Sequence, residues 1–183
     1  MTNGPKRSPS AFPDTYDPAT GDLNVVVETP QGSRNKYTYD GELGMFRLGS
    51  LLPLGTVFPF DFGFLPGTLG GDGDPVDVLL LMDEAAFPGC LVPARLVGVI
   101  EAEQVEQGRT ERNDRLIAVA SASRTHGSVR SLDDLNASLL KEIESFFMYY
   151  NGLKGKEFRI LGMYGPERAQ LTVEEAIEQY STV

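Results

Sequence analysis

Between residues 23 and 120, apolar and polar positions alternate in short runs punctuated by Gly and Pro, a pattern of many short strands. The runs at 23–28, 36–39, 45–48, 76–82, 91–103 and 116–120 are the strand candidates, rich in β-branched and aromatic side chains. A closed barrel suits such a series because closure leaves no exposed edges. Near residue 131 the period changes. Ser131 followed by Leu132, Asp133 and Asp134 marks a helix start, a hydroxyl cap with acids where the helix dipole favours them. Leu135, Leu139, Ile143, Phe146, Phe147 and Tyr150 then recur at three- and four-residue steps, so one face is apolar; the helix should end near Asn151 and Gly152. A strand over 157–161 and a short acidic helix over 173–180, capped by Thr172, complete the pattern. The fold class is therefore mainly β with helices (α+β), a barrel carrying one long helix and a short C-terminal helix.

Residues 1–21 stand apart, rich in Pro, Ser, Thr, Asn and Asp and lacking the apolar core of a signal peptide. They read as a flexible N-terminal arm before a single domain over 22–183, since neither linker nor repeat follows Gly21. The apolar run at 78–82 stops at Asp83 and Glu84, far short of a membrane-spanning length. With 26 Asp and Glu against 16 Lys and Arg, the chain of 183 residues carries a formal charge of −10. That balance argues against nucleic acid and anionic membranes as partners and favours divalent cations. Cys90 is the only cysteine, which excludes an internal disulfide and fits a reducing, cytoplasmic setting; its apolar surroundings give it a packing role. The only histidine, His126, sits in a polar turn-like segment, so no zinc ligand set exists, and no G-x-S-x-G motif is present. Chemistry must come from carboxylates, lysines and tyrosines.

The sharpest local feature is Asp72-Gly73-Asp74-Pro75-Val76-Asp77, preceded by Gly70-Gly71. Three carboxylates in so short a stretch repel one another unless a cation sits among them, and hard oxygen donors suit Mg²⁺. The spacing is not that of an EF-hand loop. Asp, Gly and Pro are also common turn formers, so a solvated turn is the plain alternative.

With its surroundings this segment resembles the soluble family I inorganic pyrophosphatases, whose D-x-D-P-x-D signature stands at Asp72 to Asp77. The likeness runs from about Asn24 to Leu161. It includes Val25 to Pro30, Asn35-Lys36-Tyr37, Phe58 to Pro66, Arg95 to Val99, and Phe146 to Lys156. The resemblance implies an OB-type five-stranded barrel and hydrolysis of pyrophosphate to two phosphates with two or more Mg²⁺ ions, Mn²⁺ being possible. It implies Asp72, Asp77, Glu28 and Asn113 as metal-binding positions. Asp74 would orient or deprotonate the attacking water, Lys36 and Tyr150 would hold phosphate oxygens, and Arg115 is a further catalytic position. It also implies a homo-oligomer, a hexamer in bacterial members of this length.

Several positions depart from the family pattern. Thr38 stands for Glu, Ser50 for Arg, Phe58 and Phe62 for Tyr, Gln104 and Asn113 for Asp, Arg115 for Lys, and Asn151 for Lys. The site has thinned in both signs, which predicts fewer or weaker metals and weaker binding of a highly charged substrate. Glu101, Glu103, Glu106 or Asp114 could restore a metal ligand, and Arg47 could replace the arginine missing at Ser50. Equally, the 103–113 segment could be a solvated hairpin. Two other functions stay open: hydrolysis of a less charged organic phosphate or pyrophosphate, and a non-catalytic metal- or phosphate-binding assembly protein.

Overall fold

The computed structural model describes residues 12–182. In chain order the elements are β1 (Leu23–Thr29), β2 (Asn35–Asp40), β3 (Met45–Leu51), β4 (Asp61–Phe64), β5 (Asp77–Leu81), β6 (Leu91–Glu106), β7 (Arg109–Arg112), β8 (Arg115–Ala120), α1 (Ala137–Gly152), β9 (Glu157–Tyr164) and α2 (Pro166–Ser181). Strands β1, β4, β5, β8 and β6 pair in that order and β6 returns to β1, closing a five-stranded OB-type barrel. The far half of the long β6 pairs β7 and β9, and β2 with β3 forms a separate hairpin.

Strand alternation explains the unbroken apolar run at 78–82. Val78 and Leu80 join Val25, Val27, Leu116 and Ala118 in one core layer, completed by Ala169, Val173 and Ala176 of α2. Leu79 and Leu81 point the other way, with Ile117 and Val119, into a second layer under Ile143, Phe147 and Tyr150 of α1. A strand buried on both faces needs apolar residues at every position. Cys90 packs at the edge of the first layer. In β4, any Cβ at Gly63 would collide with the Val26 carbonyl of β1, so glycine permits this close pairing.

The structure departs from the sequence expectations at identifiable places. Strand β4 is short and interrupted by glycine, and β7 is polar, so neither carries an apolar signature. Ser131 does cap a helix, but only the single 3₁₀ turn Leu132–Asp134, where Asp134 bonds back to the Ser131 N–H. The long helix starts later, under Asn136, whose side chain accepts from the Ser138 N–H at 2.8 Å. Helix α2 starts at Pro166, a first-turn position where the missing N–H costs nothing. Thr172 is therefore mid-helix, donating its hydroxyl to the Arg168 carbonyl at 3.2 Å.

Within the stretch expected as an arm, residues 12–21 contact the barrel. Thr15 Oγ1 donates to the Pro66 carbonyl at 2.7 Å, Asn24 Nδ2 donates to the Asp14 carbonyl at 2.8 Å, and Tyr16 bridges Leu23. Phe12 packs edge-on against Tyr39 and Phe64. Few apolar residues suffice here because backbone and hydroxyl hydrogen bonds do the docking. The remaining part of the expected arm, 1–11, lies outside the described residues.

Candidate active site

Glu28, Lys36, Asp72, Asp74, Asp77, Asn113, Arg115 and Tyr150 all line one cavity of about 630 Å³. Topology brings them there. Asp77 opens β5 and Arg115 opens β8; the parallel β5–β8 register sets the two side by side, with Arg115 Nη1 2.7 Å from Asp77 Oδ2. Lys36 of β2 reaches Glu28 of β1, Nζ to Oε2 at 2.9 Å, and the Tyr39 N–H donates to the other Glu28 oxygen at 2.7 Å. Asp72 and Asp74 sit in the turn before β5, where Gly73 takes a φ of 87° and the Asp74 N–H donates to Asp72 Oδ1 at 3.2 Å. The side-chain-capped Asx turn holds two carboxylates at the cavity mouth. Tyr150 arrives from the buried face of α1.

The two central cations are held by ring faces as well as by acids. Lys36 Nζ lies 4.5 Å from the Phe62 ring centroid and 5.9 Å from that of Phe58. Arg115 Cζ lies 5.6 Å from the Phe158 centroid and 5.7 Å from that of Phe147. Each face attracts a cation through the ring quadrupole. Phe58 is fully buried beneath Lys36 and does not line the cavity, so only Phe62 makes the cavity itself more apolar.

Burial pushes the Asp72 carboxyl above the usual carboxylate range, and the charges of Asp77 and Asp74 push it further, against the opposing pull of Arg115 and the Asp74 N–H. A cation placed between these groups would relieve that repulsion. Burial also raises the Tyr150 hydroxyl, and the charge of Asp77 adds to it. Both Tyr150 Oη and Arg115 Nε are buried without a hydrogen-bond partner.

Gln104 and Asn113, standing for two acids of the family pattern, have turned toward each other, and Asn113 also meets Arg115. Asn113 Nδ2 donates to Gln104 Oε1 at 3.2 Å, while Asn113 Oδ1 accepts from Arg115 Nη1. None of the acids weighed as substitutes lines this cavity. Glu101 is tied to Arg112 at 2.7 Å and to Arg168 at 2.5 Å, and Asp114 to Arg112 at 2.6 Å. Glu106 pairs Lys156 at 3.1 Å, and Glu103 lies in β6 outside the cavity lining. Arg47 does not replace the arginine missing at Ser50, because it is exposed and pairs Asp40 at 3.1 Å. The 103–113 segment is the β6–β7 hairpin, turned at Gln107 and Gly108, both with positive φ.

Thr38, Gln104 and Asn151 also line the cavity, as do Lys154 and Lys156, to which the sequence motifs assign no role. Lys154 follows Tyr150 by four residues, the step that stacks side chains on one helix face. That spacing was the available signal. Among the described residues no group of three or more His, Cys, Asp or Glu side chains is arranged to hold an ion. The hard oxygens of Asp72, Asp74 and Asp77 still suit a divalent cation chemically, whereas both Glu28 oxygens are engaged and the 104–113 pair is amide. The donor set fits fewer ions than the family pattern implies.

The inorganic pyrophosphatase family profile matches residues 25–181. An inorganic pyrophosphatase of Synechocystis is 36% identical over 163 residues, covering 89% of this chain and 94% of the relative. One from Geobacillus stearothermophilus is 38% identical over 159 residues, covering 87% and 94%. Among solved structures, the inorganic pyrophosphatase of Thermus thermophilus superposes with a TM-score of 0.84 at 32% identity, covering 93% of this chain and 97% of that one. That of Helicobacter pylori gives a TM-score of 0.84 at 35% identity, covering 94% and 99%. With the barrel, the carboxylate turn and the Lys36–Glu28 and Arg115–Asp77 pairs in one cavity, these likenesses agree over nearly the whole chain: it belongs to the inorganic pyrophosphatase family, a family of phosphoanhydride hydrolases.

Proposed function

We propose that this chain hydrolyses a phosphoanhydride bond, with inorganic pyrophosphate as the leading substrate. The observation that carries the reading is Asp74, an exposed carboxylate engaged by no described side chain, beside Asp72, Asp77 and four cations lining the same cavity, Lys36, Arg115, Lys154 and Lys156. A divalent cation, Mg²⁺ first and Mn²⁺ as a substitute, would be held by Asp72 and Asp77; bound there, it supplies charge neutralisation and a more acidic water. Asp74 accepts the proton of the attacking water. The water oxygen forms a bond to one phosphorus as the bond from that phosphorus to the bridging oxygen breaks, and the second phosphate leaves with the electron pair. Cations around the cavity hold the phosphate oxygens throughout.

The amide pair gives a prediction. Asn113→Asp returns a carboxylate beside Asp77 and should tighten Mg²⁺ binding about tenfold, since affinity follows ligand charge and support. Calorimetric titration of Mg²⁺ into both proteins checks it; equal affinities would mean that position 113 does not reach the ion.

A second substrate class has its own observation. One flank of the cavity is Phe12, Tyr39, Phe64 and Pro66, a surface suited to an organic group. Parallel assays on pyrophosphate and a panel of organic phosphates and diphosphates separate the two. Faster turnover of pyrophosphate is the expected result, and preference for an organic diphosphate would transfer the proposal to that class.

We further propose a cytoplasmic homo-oligomer, a hexamer by the family resemblance; self-association is supported by Leu43, Met45, Leu48, Leu51 and Leu54, which the β2–β3 hairpin and its neighbouring segments leave exposed.

A further inference from the structure

In the pattern this chain resembles, position 151 carries a lysine. Here it is Asn151, which is 2% exposed and turned inward, its Nδ2 donating to the Phe147 carbonyl at 2.9 Å. That bond ties the amide to α1, and an amide brings no positive charge to the cavity. Lys36, Arg115 and Lys156 are each committed to an acid, at 2.9, 2.7 and 3.1 Å. Lys154 is the exception among the cavity's cations, since no described carboxylate lies within ion-pair distance of it.

The backbone explains where Lys154 goes. The chain leaves α1 through Leu153 in a helical conformation, and the Lys154 N–H still bonds the Asn151 carbonyl at 2.9 Å. The side chain therefore keeps the four-residue step from Tyr150, and its ammonium rests 4.2 Å from the Tyr150 ring centroid. Tyr150 Oη beneath it is a buried hydroxyl with no partner, in a residue 6% exposed. An ammonium without a carboxylate and a hydroxyl without a partner occupy one corner of the cavity.

We propose that Lys154 and Tyr150 form a phosphate-binding subsite in which Lys154 supplies the cation that position 151 lacks. The ligand class is a phosphate or diphosphate group. This rests on the phosphoanhydride reading and deepens it by naming a cation that binds substrate with no acid to release first. Electrostatics agree with the geometry: desolvation and the neighbouring charges of Lys36, Lys156 and Arg115 lower the Lys154 ammonium to about 8, with Asp77 the opposing charge. Incoming phosphate would relieve this crowding of like charges, so Lys154 gains from the ligand what the protein does not supply.

The test compares wild type, Lys154→Met and Lys154→Arg by calorimetric binding of methylenediphosphonate, which cannot be hydrolysed at its bridge, and by steady-state hydrolysis of pyrophosphate. Lys154→Met should weaken methylenediphosphonate binding and raise KM by about tenfold while kcat stays within about threefold; Lys154→Arg should recover most of the loss. Because the residue is exposed, thermal midpoints should match. Binding unchanged by Lys154→Met, or absent in the wild type, overturns the subsite. If the wild type binds and the methionine variant binds less, yet neither turns over pyrophosphate, the subsite stands and the hydrolase reading fails.

Discussion

Asp77→Asn should lose on the order of 10²–10³-fold in turnover while remaining folded. Asp77 is central in two ways. It is one of the two carboxylates proposed to hold the divalent cation, and it pairs the buried Arg115 at 2.7 Å. Breaking a buried pair outright costs about 3–5 kcal/mol, because one charge is left unmatched. The amide oxygen of asparagine can still accept from Arg115, and Arg115 also donates to the Asn113 side chain and to the Asp114 carbonyl. Stability should therefore fall by less than the full cost, about 1–2 kcal/mol. Denaturant unfolding beside phosphate release checks both numbers. Turnover within tenfold of wild type in a folded protein would remove Asp77 from the chemistry.

Lys36→Met carries the second large effect. Lys36 and Glu28 are 7% and 9% exposed, and methionine would leave Glu28 with only the Tyr39 N–H. A loss of roughly 3–5 kcal/mol follows, the magnitude for a buried charge stripped of its partner. The double variant Glu28→Gln, Lys36→Met tests the cause. Removing both charges should restore much of the stability, since a neutral glutamine can keep the Tyr39 bond and methionine packs against Phe62 and Phe58. Activity should remain low in the double variant if Lys36 holds a phosphate oxygen. Equal destabilisation of the single and double variants would show that packing, and not charge pairing, holds Lys36.

The carboxylate turn was legible in the sequence because its chemistry is local. Asp72, Asp74 and Asp77 lie within a few residues, and Gly73 and Pro75 announce the turn. Strand β5 was legible too, as a continuous apolar run. The pairing of Asp77 with Arg115 was not, because it depends on the parallel β5–β8 register, set by a crossover through β6 and β7. The inward turn of Gln104 and Asn113 was hidden for the same reason: their bond joins β6 to the short link between β7 and β8. Glu101 and Asp114 read as possible metal ligands until their arginine partners were placed; Arg168 comes from α2, distant in sequence. Ser131 shows the limit of a cap signal, which marks a start without saying how many turns follow. Lys154 escaped notice because it lies past the helix end, where apolar periodicity stops carrying information.

Phosphate release from pyrophosphate with excess Mg²⁺, measured for wild type beside Asp74→Asn purified identically, tests the proposed hydrolysis most directly. Asp74 is the suitable control because it is exposed and makes no ion pair, so its replacement should leave the fold intact. The expected result is turnover on the order of 1–10³ per second for the wild type, lost on chelation and reduced at least about a hundredfold in the variant. Release that is absent, or equal in the two proteins, would contradict hydrolysis by this site and leave the cavity as a phosphate- or metal-binding one.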